Sequence, residues 1–139
     1  EGEGVAQDYK EALCCFRKAA DQGNADAQFN LANTYCSGVG VSQDYKEAVH
    51  WFRKAADQDN AVAQFNLANT YYSGVGVSQD YKEAVHWFRK AADQGDTNSQ
   101  FNLGIMYCEG QGVAQDNDEA VQWFRKAADQ GDADAQFNL

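Results

Sequence analysis

A regular pattern of apolar residues runs from Asp44 to Gln58. Its apolar positions lie three and four residues apart, and they are Tyr45, Ala48, Val49, Phe52, Ala55 and Ala56. Lys46, His50 and Arg53 fall mainly on the opposite side. This spacing is typical of an amphipathic helix with one buried face. The pattern therefore predicts a helix, which we call helix B.

The start of helix B has the residues of a capping box. Asp44 lies immediately before the apolar pattern, and Glu47 lies three residues after Asp44. An aspartate there accepts from the first-turn amides, and the glutamate reaches back to the amide of the capping residue. We therefore expect both interactions. The same pair recurs as Asp8 with Glu11, Asp80 with Glu83, and Asp116 with Glu119.

A second helical pattern, which we call helix A, precedes each internal copy of helix B. Its expected buried residues are Ala27, Leu31 and Tyr35, flanked by Phe29 and Ala32. Its expected N-caps are Asn24, Asn60, Asp96 and Asp132, and it stops before Gly38, Gly74 and Gly110. The opposite side carries a polar stripe of Asp26, Asn30, Asn33 and Ser37.

Both patterns recur with a period of 36 residues. Asp44–Gln79 matches Asp8–Gln43 at 30 of 36 positions and Asp80–Gln115 at 24 of 36, and a fourth copy runs from Asp116 to Leu139. A fixed period of this length is typical of a repeat solenoid. Because the connections are short, neighbouring helices must be antiparallel. We therefore expect an all-α fold, a right-handed α/α superhelical solenoid of antiparallel helix pairs.

The chain is interpreted as one array over residues 1–139. A lone helix B at 8–23 is followed by repeats at 24–59, 60–95 and 96–131 and by a truncated repeat at 132–139. Residues 1–7 resemble the loops between helices A and B, so we expect a loop there. The chain begins without Met and stops inside a helical pattern, so both ends look like cuts.

Two positions depart from the repeat pattern. Asp59 stands where the other copies have Gly23, Gly95 and Gly131, each expected in the left-handed conformation after helix B. Aspartate tolerates that conformation less well, so we expect a costlier turn. Cys15 replaces the tryptophan found at Trp51 in the next copy, which should loosen the first unit.

These residues together resemble the Sel1-like repeat, a relative of the tetratricopeptide repeat. The resemblance covers essentially the whole chain, and the motif residues of one unit are Ala63, Leu67, Ala68, Tyr71, Gly74, Gly76, Val77, Asp80, Ala84, Trp87, Lys90, Ala91, Ala92 and Gly95. It implies a non-enzymatic scaffold or adaptor that binds a peptide or helix on a concave face lined by helices A. It also implies disulfides paired within repeats in some bacterial relatives, a pattern that this chain lacks.

Composition narrows the choice of partner. The net charge is −10, the pI is about 4.4, and no block of Lys or Arg occurs, so neither nucleic acid nor an anionic membrane is expected. The acidity serves either solubility or the binding of a basic or neutral ligand. Cys14, Cys15, Cys36 and Cys108 are irregularly spaced, which favours reduced thiols and slightly favours a cytoplasmic location.

The asparagines of helix A are the main candidate binding residues. We expect a partner at Asn30, Asn33, Asn66, Asn69 and Asn102, with Tyr72 and Met106 as apolar anchors. The resemblance supports this, since tetratricopeptide proteins hold a peptide through asparagines at these positions, and an amide both donates and accepts. The alternative is that these amides bond locally or bridge adjacent helices A and bind no partner, and that Met106 belongs to a core repacked around Gly104. No carboxylate clamp is expected, because Asn98 and Asn102 stand where it needs cations.

No enzyme, metal or cofactor is expected. His50 and His86 lie one repeat apart without a ligand cluster, and no serine is paired with a base. Besides the scaffold, three alternatives remain. They are a secreted bacterial or host-interaction factor, a solenoid that associates head to tail with itself, and an enzyme such as a cell-wall hydrolase.

Overall fold

The structure is a computed structural model that describes residues 2–139. Within that range the chain forms helices only. In chain order they are α1 (Gly2–Asp21), α2 (Ala25–Ser37), α3 (Tyr45–Ala56), α4 (Ala61–Ser73), α5 (Tyr81–Asp93), α6 (Thr97–Glu109), α7 (Asn117–Asp129) and α8 (Ala133–Asn138). The odd-numbered helices are the predicted helices B, and the even-numbered helices are the predicted helices A. The all-α prediction is confirmed.

Each helix packs chiefly against the helices that precede and follow it in the chain. The pairs α2–α3, α4–α5 and α6–α7 each come from one repeat, and the remaining contacts join one repeat to the next. This nearest-neighbour packing distinguishes a solenoid from a bundle with a single centre. The predicted solenoid of helix pairs is therefore confirmed.

Tilted phenylalanine pairs repeat along the core. The ring centroids of Phe29 and Phe52 are 5.9 Å apart, and the equivalent pairs in the next two repeats are 6.0 and 5.7 Å apart.

The structure differs from the predicted buried face of helix B at two residues. Tyr45 is 42% exposed, whereas Trp51, which the pattern left out, is only 3% exposed. The Lys54 ammonium lies 4.9 Å from the Trp51 ring centroid, which is cation–π geometry.

The predicted N-caps of helix B are present in each internal repeat, but the capping box is not. Asp44 Oδ1 accepts from the amides of Lys46 and Glu47, both at 3.1 Å. The Asp44 amide itself donates to the Tyr35 carbonyl at 3.0 Å. The predicted hydrogen bond from the Asp44 amide to the Glu47 side chain is therefore wrong, because that amide already bonds to helix A. The same arrangement joins Asp80 with Tyr71 and Asp116 with Tyr107.

Helix α1 starts earlier than predicted. It runs without a break from Gly2, so the expected loop before Asp8 and the expected cap at Asp8 are wrong within the described residues. Glu1 lies outside that range. In later repeats the loop is held by a preceding helix A, for example through Gln43 Nε2 donating to the Cys36 carbonyl at 2.7 Å. No helix A precedes α1 in residues 2–139, so no contact of this kind holds the segment before Asp8 in the loop conformation.

The turns after helix B follow the expected conformations. Gly23, Gly95 and Gly131 have φ values of 90°, 95° and 92°. Asp59 takes the same place with φ of 63° and is the one described non-glycine residue with positive φ. The prediction of a left-handed aspartate at this turn is confirmed.

Buried glutamines connect the repeats, and the sequence pattern did not single them out. Gln64 is fully buried; its Nε2 donates to the Ala56 carbonyl at 3.1 Å, and its Oε1 accepts from Gln94 Nε2 at 2.8 Å. Each such glutamine joins the helix B before it to the end of the helix B after it. The equivalent bonds join Gln28 to Ala20 and Gln58, and Gln100 to Ala92 and Gln130.

Candidate functional site

A small cavity lies where the second and third repeats meet on the helix A surface. Its volume is about 110 Å³, and we call it the α4–α6 cavity after the two helices that form its walls. It is lined by Asn69 and Tyr72 of α4, Phe88 of α5, and Asn102, Ile105 and Met106 of α6. Successive helices A therefore present their side chains to one another across a shallow opening.

Helical spacing explains why these side chains converge. Residues three or four apart share one face of a helix, so Asn69 lies beside Tyr72 and Asn102 lies beside Ile105. Phe88 comes from the core of the intervening helix B and is only 1% exposed. The cavity thus has polar amides at its rim and apolar side chains at its base.

Tyr72 is held in place as a wall of the cavity. Its hydroxyl donates to Gln111 Oε1 at 3.3 Å, across the repeat boundary. Its ring centroid lies 5.2 Å from that of Tyr81. A tyrosine fixed at both its ring and its hydroxyl offers contact area without a large loss of side-chain entropy.

The asparagine amides differ in their availability. Asn66 Nδ2 donates to the Val62 carbonyl at 2.8 Å, so part of that amide bonds locally, as the alternative interpretation expects. Within residues 2–139, no intramolecular hydrogen bond engages the side-chain amide of Asn69 or Asn102. Asn30 and Asn33 are exposed on α2 and lie outside the cavity.

Met106 does not project from the surface. It is 1% exposed and forms part of the cavity base, so it cannot serve as an exposed anchor. The packing around Gly104 fits the alternative of a repacked core. A Cβ built on Gly104 would lie 2.5 Å from Cε1 of Phe124, so that ring occupies the space an alanine fills in other repeats.

Four of the seven predicted partner residues line the cavity, and three do not. Asn69, Tyr72, Asn102 and Met106 come together there, whereas Asn30, Asn33 and Asn66 lie elsewhere along helices A. Two lining residues were not predicted. Ile105 was detectable as a departure from the repeat pattern, whereas Phe88 recurs in the other repeats and carried no distinguishing signal.

Charge is divided between the two kinds of helix. Every Lys and Arg of the chain lies in a helix B, and no helix A carries one. The acidic side chains within helices A are Asp26, Glu109 and Asp134. The two helices A that form the walls of the α4–α6 cavity therefore carry no basic side chain, although Arg53 and Arg89 of helices B donate to the hydroxyls of Tyr71 and Tyr107.

The cysteines and histidines do not form a site in the described part of the chain. All four cysteines are unpaired, and burial raises the pKa of the half-buried Cys36 thiol above its ordinary value. His50 and His86 are exposed on α3 and α5. No cluster of three metal-binding side chains occurs in residues 2–139. Over the same range, no helix has the length and apolarity needed to cross a bilayer.

The fold defines a class of protein, an α-solenoid of stacked helix pairs. The Sel1 repeat family model matches residues 1–24, 25–60, 61–96 and 97–132. The chain belongs to the Sel1 repeat family. Proteins of this family are generally scaffolds for protein–protein interaction, and the family is generally non-catalytic.

Solved structures of Sel1-like proteins resemble this one. A Sel1 repeat protein from Oxalobacter formigenes is 42% identical with a TM-score of 0.91, over 94% of this chain and 54% of that one. The protective antigen c5321 of uropathogenic Escherichia coli is 45% identical with a TM-score of 0.84, over 86% of this chain and 26% of that one. Cysteine-rich protein B of Helicobacter pylori is 26% identical with a TM-score of 0.75, and the match spans all of both chains.

The chain spans about half and about a quarter of the length of the first two of these proteins. No match was found among curated protein sequences.

Proposed function

We propose that this chain is a non-enzymatic adaptor that binds a peptide or helix of a partner protein along the surface of α2, α4 and α6. The α4–α6 cavity is the observation that carries the proposal. Free amides at Asn69 and Asn102 flank an apolar base there, which suits an extended backbone with one apolar side chain. Asn30 and Asn33 would extend the contact along α2.

Partner discovery comes first in the test. The 139-residue chain serves as bait, and captured proteins are then purified and titrated against it by calorimetry. A variant carrying Asn33→Ala, Asn66→Ala and Asn69→Ala should bind the partner at least about tenfold more weakly, since each buried hydrogen bond contributes about 1 kcal/mol. A double variant with His50→Ala and His86→Ala is the matched control, because both histidines are exposed on helices B.

Unchanged affinity of the asparagine variant for a partner that the wild-type chain binds tightly would reject this surface. Circular dichroism of both variants must show the helical content of the wild type. Equal loss of affinity in the histidine variant would point instead to the helix B surface.

Head-to-tail association of the 139-residue chain is a second candidate. Phe137 of α8 is 91% exposed, while its equivalents Phe29, Phe65 and Phe101 each pack on a phenylalanine of the following helix B. Phe16 of α1 is the corresponding helix B residue, and it lines a cavity of about 260 Å³. The α1 helix of a second copy therefore offers Phe137 the ring that it does not contact within residues 2–139.

Sedimentation over a range of concentrations tests this association. A mass that rises with concentration, and that falls back to the monomer in a Phe137→Asp variant, is the expected result. A wild-type chain that stays monomeric at high concentration would reject it.

A further inference from the structure

The size of the α4–α6 cavity restricts the side chain that it can hold. A dry apolar cavity of about 150 Å³ accommodates benzene. The cavity here measures about 110 Å³ and is lined at its base by Phe88, Ile105 and Met106. It therefore suits a branched or linear aliphatic side chain and is too small for an indole ring.

The apolar lining of the α4–α6 cavity is not repeated at the preceding repeat boundary. At the preceding boundary, between α2 and α4, the positions of Tyr72, Ile105 and Met106 are held by Cys36, Asn69 and Thr70. Those side chains are smaller or more polar, so that boundary offers less apolar area. A ligand lying across the repeats would thus find its apolar subsite at the α4–α6 boundary.

An acidic residue marks the same boundary. Glu109 is exposed, and it lies four residues after Ile105, on the same face of α6. Ser37 and Ser73 hold the equivalent positions in the other two units. Since no helix A carries Lys or Arg, no side chain on these helices neutralises Glu109. A positively charged ligand is the complementary one.

We propose that the bound segment is a basic peptide that inserts one leucine, isoleucine or methionine side chain into the α4–α6 cavity, with a neighbouring lysine or arginine beside Glu109. This inference rests on the proposed adaptor function and specifies its ligand. Asn69 and Asn102 would bond the peptide backbone on either side of the inserted residue. The cavity sets the register of the peptide, and Glu109 sets its charge.

Short synthetic peptides test the proposal directly. The first has a central leucine flanked on both sides by lysines, and its relatives replace the leucine with alanine or tryptophan, or the lysines with glutamates. We expect the alanine peptide to bind at least about tenfold more weakly, because it lacks the apolar side chain that fills the cavity. The tryptophan peptide should be weakened to the same extent, because the indole ring does not fit. The glutamate peptide should not bind at millimolar concentration, as read by chemical-shift changes in NMR spectra.

Variants of the cavity provide a second test. Ile105→Phe fills the cavity and should lower the affinity for the leucine peptide about tenfold. Ile105→Ala enlarges the cavity and should raise the affinity for a peptide with a central phenylalanine. Glu109→Gln should weaken the binding of the lysine peptides two- to fivefold, since an exposed ion pair contributes little to affinity. Asp57→Asn, an equal charge change at an exposed position of the helix B side, is the control.

The proposal is overturned if the leucine and alanine peptides bind equally, if the glutamate peptide binds as tightly as the lysine peptide, or if the lysine–leucine peptide does not bind. A failure here is distinct from failure of the adaptor function. A protein partner that depends on Asn33, Asn66 and Asn69 but is indifferent to Ile105→Phe and Glu109→Gln would retain that function and reject the basic aliphatic ligand.

Discussion

Gln94 Nε2 donates to Gln64 Oε1 at 2.8 Å, and this bond joins the end of one helix B to the helix A before it. Gln64 in turn donates to the Ala56 carbonyl on the other side, and it is fully buried. One side chain therefore satisfies a helix end in the preceding repeat and receives a bond from its own repeat. The interface between repeats is polar at this point, and its specificity lies in these paired bonds.

Replacing Gln64 with methionine should destabilise the array. The change keeps the shape of the side chain but removes two hydrogen bonds, the one from Gln64 to the Ala56 carbonyl and the one from Gln94 Nε2 to Gln64. The Ala56 carbonyl still accepts from the Asp59 amide at 3.0 Å. Each lost bond costs about 0.5–1.5 kcal/mol. The midpoint of urea unfolding measures the effect. Gln136→Met is the control, because Gln136 is exposed and should lose only a few tenths of a kcal/mol. Equal midpoints for the Gln64 variant and the wild type would contradict the prediction.

Replacing Ser99 with alanine should stabilise the chain by about 1 kcal/mol. Ser99 is fully buried, and its hydroxyl has no hydrogen-bond partner in the described residues. Removing a buried unpaired hydroxyl recovers part of its desolvation cost. Alanine already stands at the equivalent Ala27 and Ala63, so it fits the site. A lower melting temperature for the variant would show that the hydroxyl is satisfied in solution; Ser73→Ala, on the exposed side of α4, provides the comparison.

Gly95→Ala should lose about 1–2 kcal/mol of stability. Its φ is 95°, and a Cβ would meet no atom within 4 Å, so the cost is that of the left-handed backbone alone. Asp59→Gly should instead raise the free energy of unfolding by up to about 1 kcal/mol, because a φ of 63° suits glycine better than aspartate. Denaturation curves measured side by side test both signs.

Gly4→Ala is the matched control for the glycine substitution. Gly4 lies inside α1, where a Cβ also meets no atom within 4 Å, and there alanine should stabilise by about 1 kcal/mol. If alanine had the same effect at both glycines, the backbone conformation would not be the cause.

Cys36 should react with iodoacetamide more slowly than the exposed Cys14, Cys15 and Cys108 at mildly alkaline pH. Burial raises the pKa of its thiol above the ordinary value of 9.0, so less thiolate is present in the folded chain. The unfolded chain ionises first, so the stability that the neutral thiol contributes is lost as the pH rises through 9.0 and towards the higher folded value. Mass spectrometry of time points resolves the four rates, and an equal rate at Cys36 would contradict the assigned burial.

The features that were predictable from the sequence depend on near neighbours along the chain. Asp80 caps α5 by accepting from Lys82 and Glu83, so the capping oxygen and its donors lie within three residues. The left-handed turn at Asp59 follows from the glycines of the other copies. The candidate cavity was predictable only in part. The sequence pattern identifies Asn69 and Asn102 as candidates, but it does not show how close they lie to each other, because they belong to two different helices.

By itself, the sequence determined the period of 36 residues, the two helices of each unit and the residues that begin and end them. It did so because caps, turns and amphipathic faces are encoded within a few residues. Only the tertiary structure decided that Met106 lies in the core, that Gln64 joins neighbouring repeats and that α1 begins at Gly2. Those outcomes depend on which helix lies alongside, and that helix belongs to another stretch of the chain.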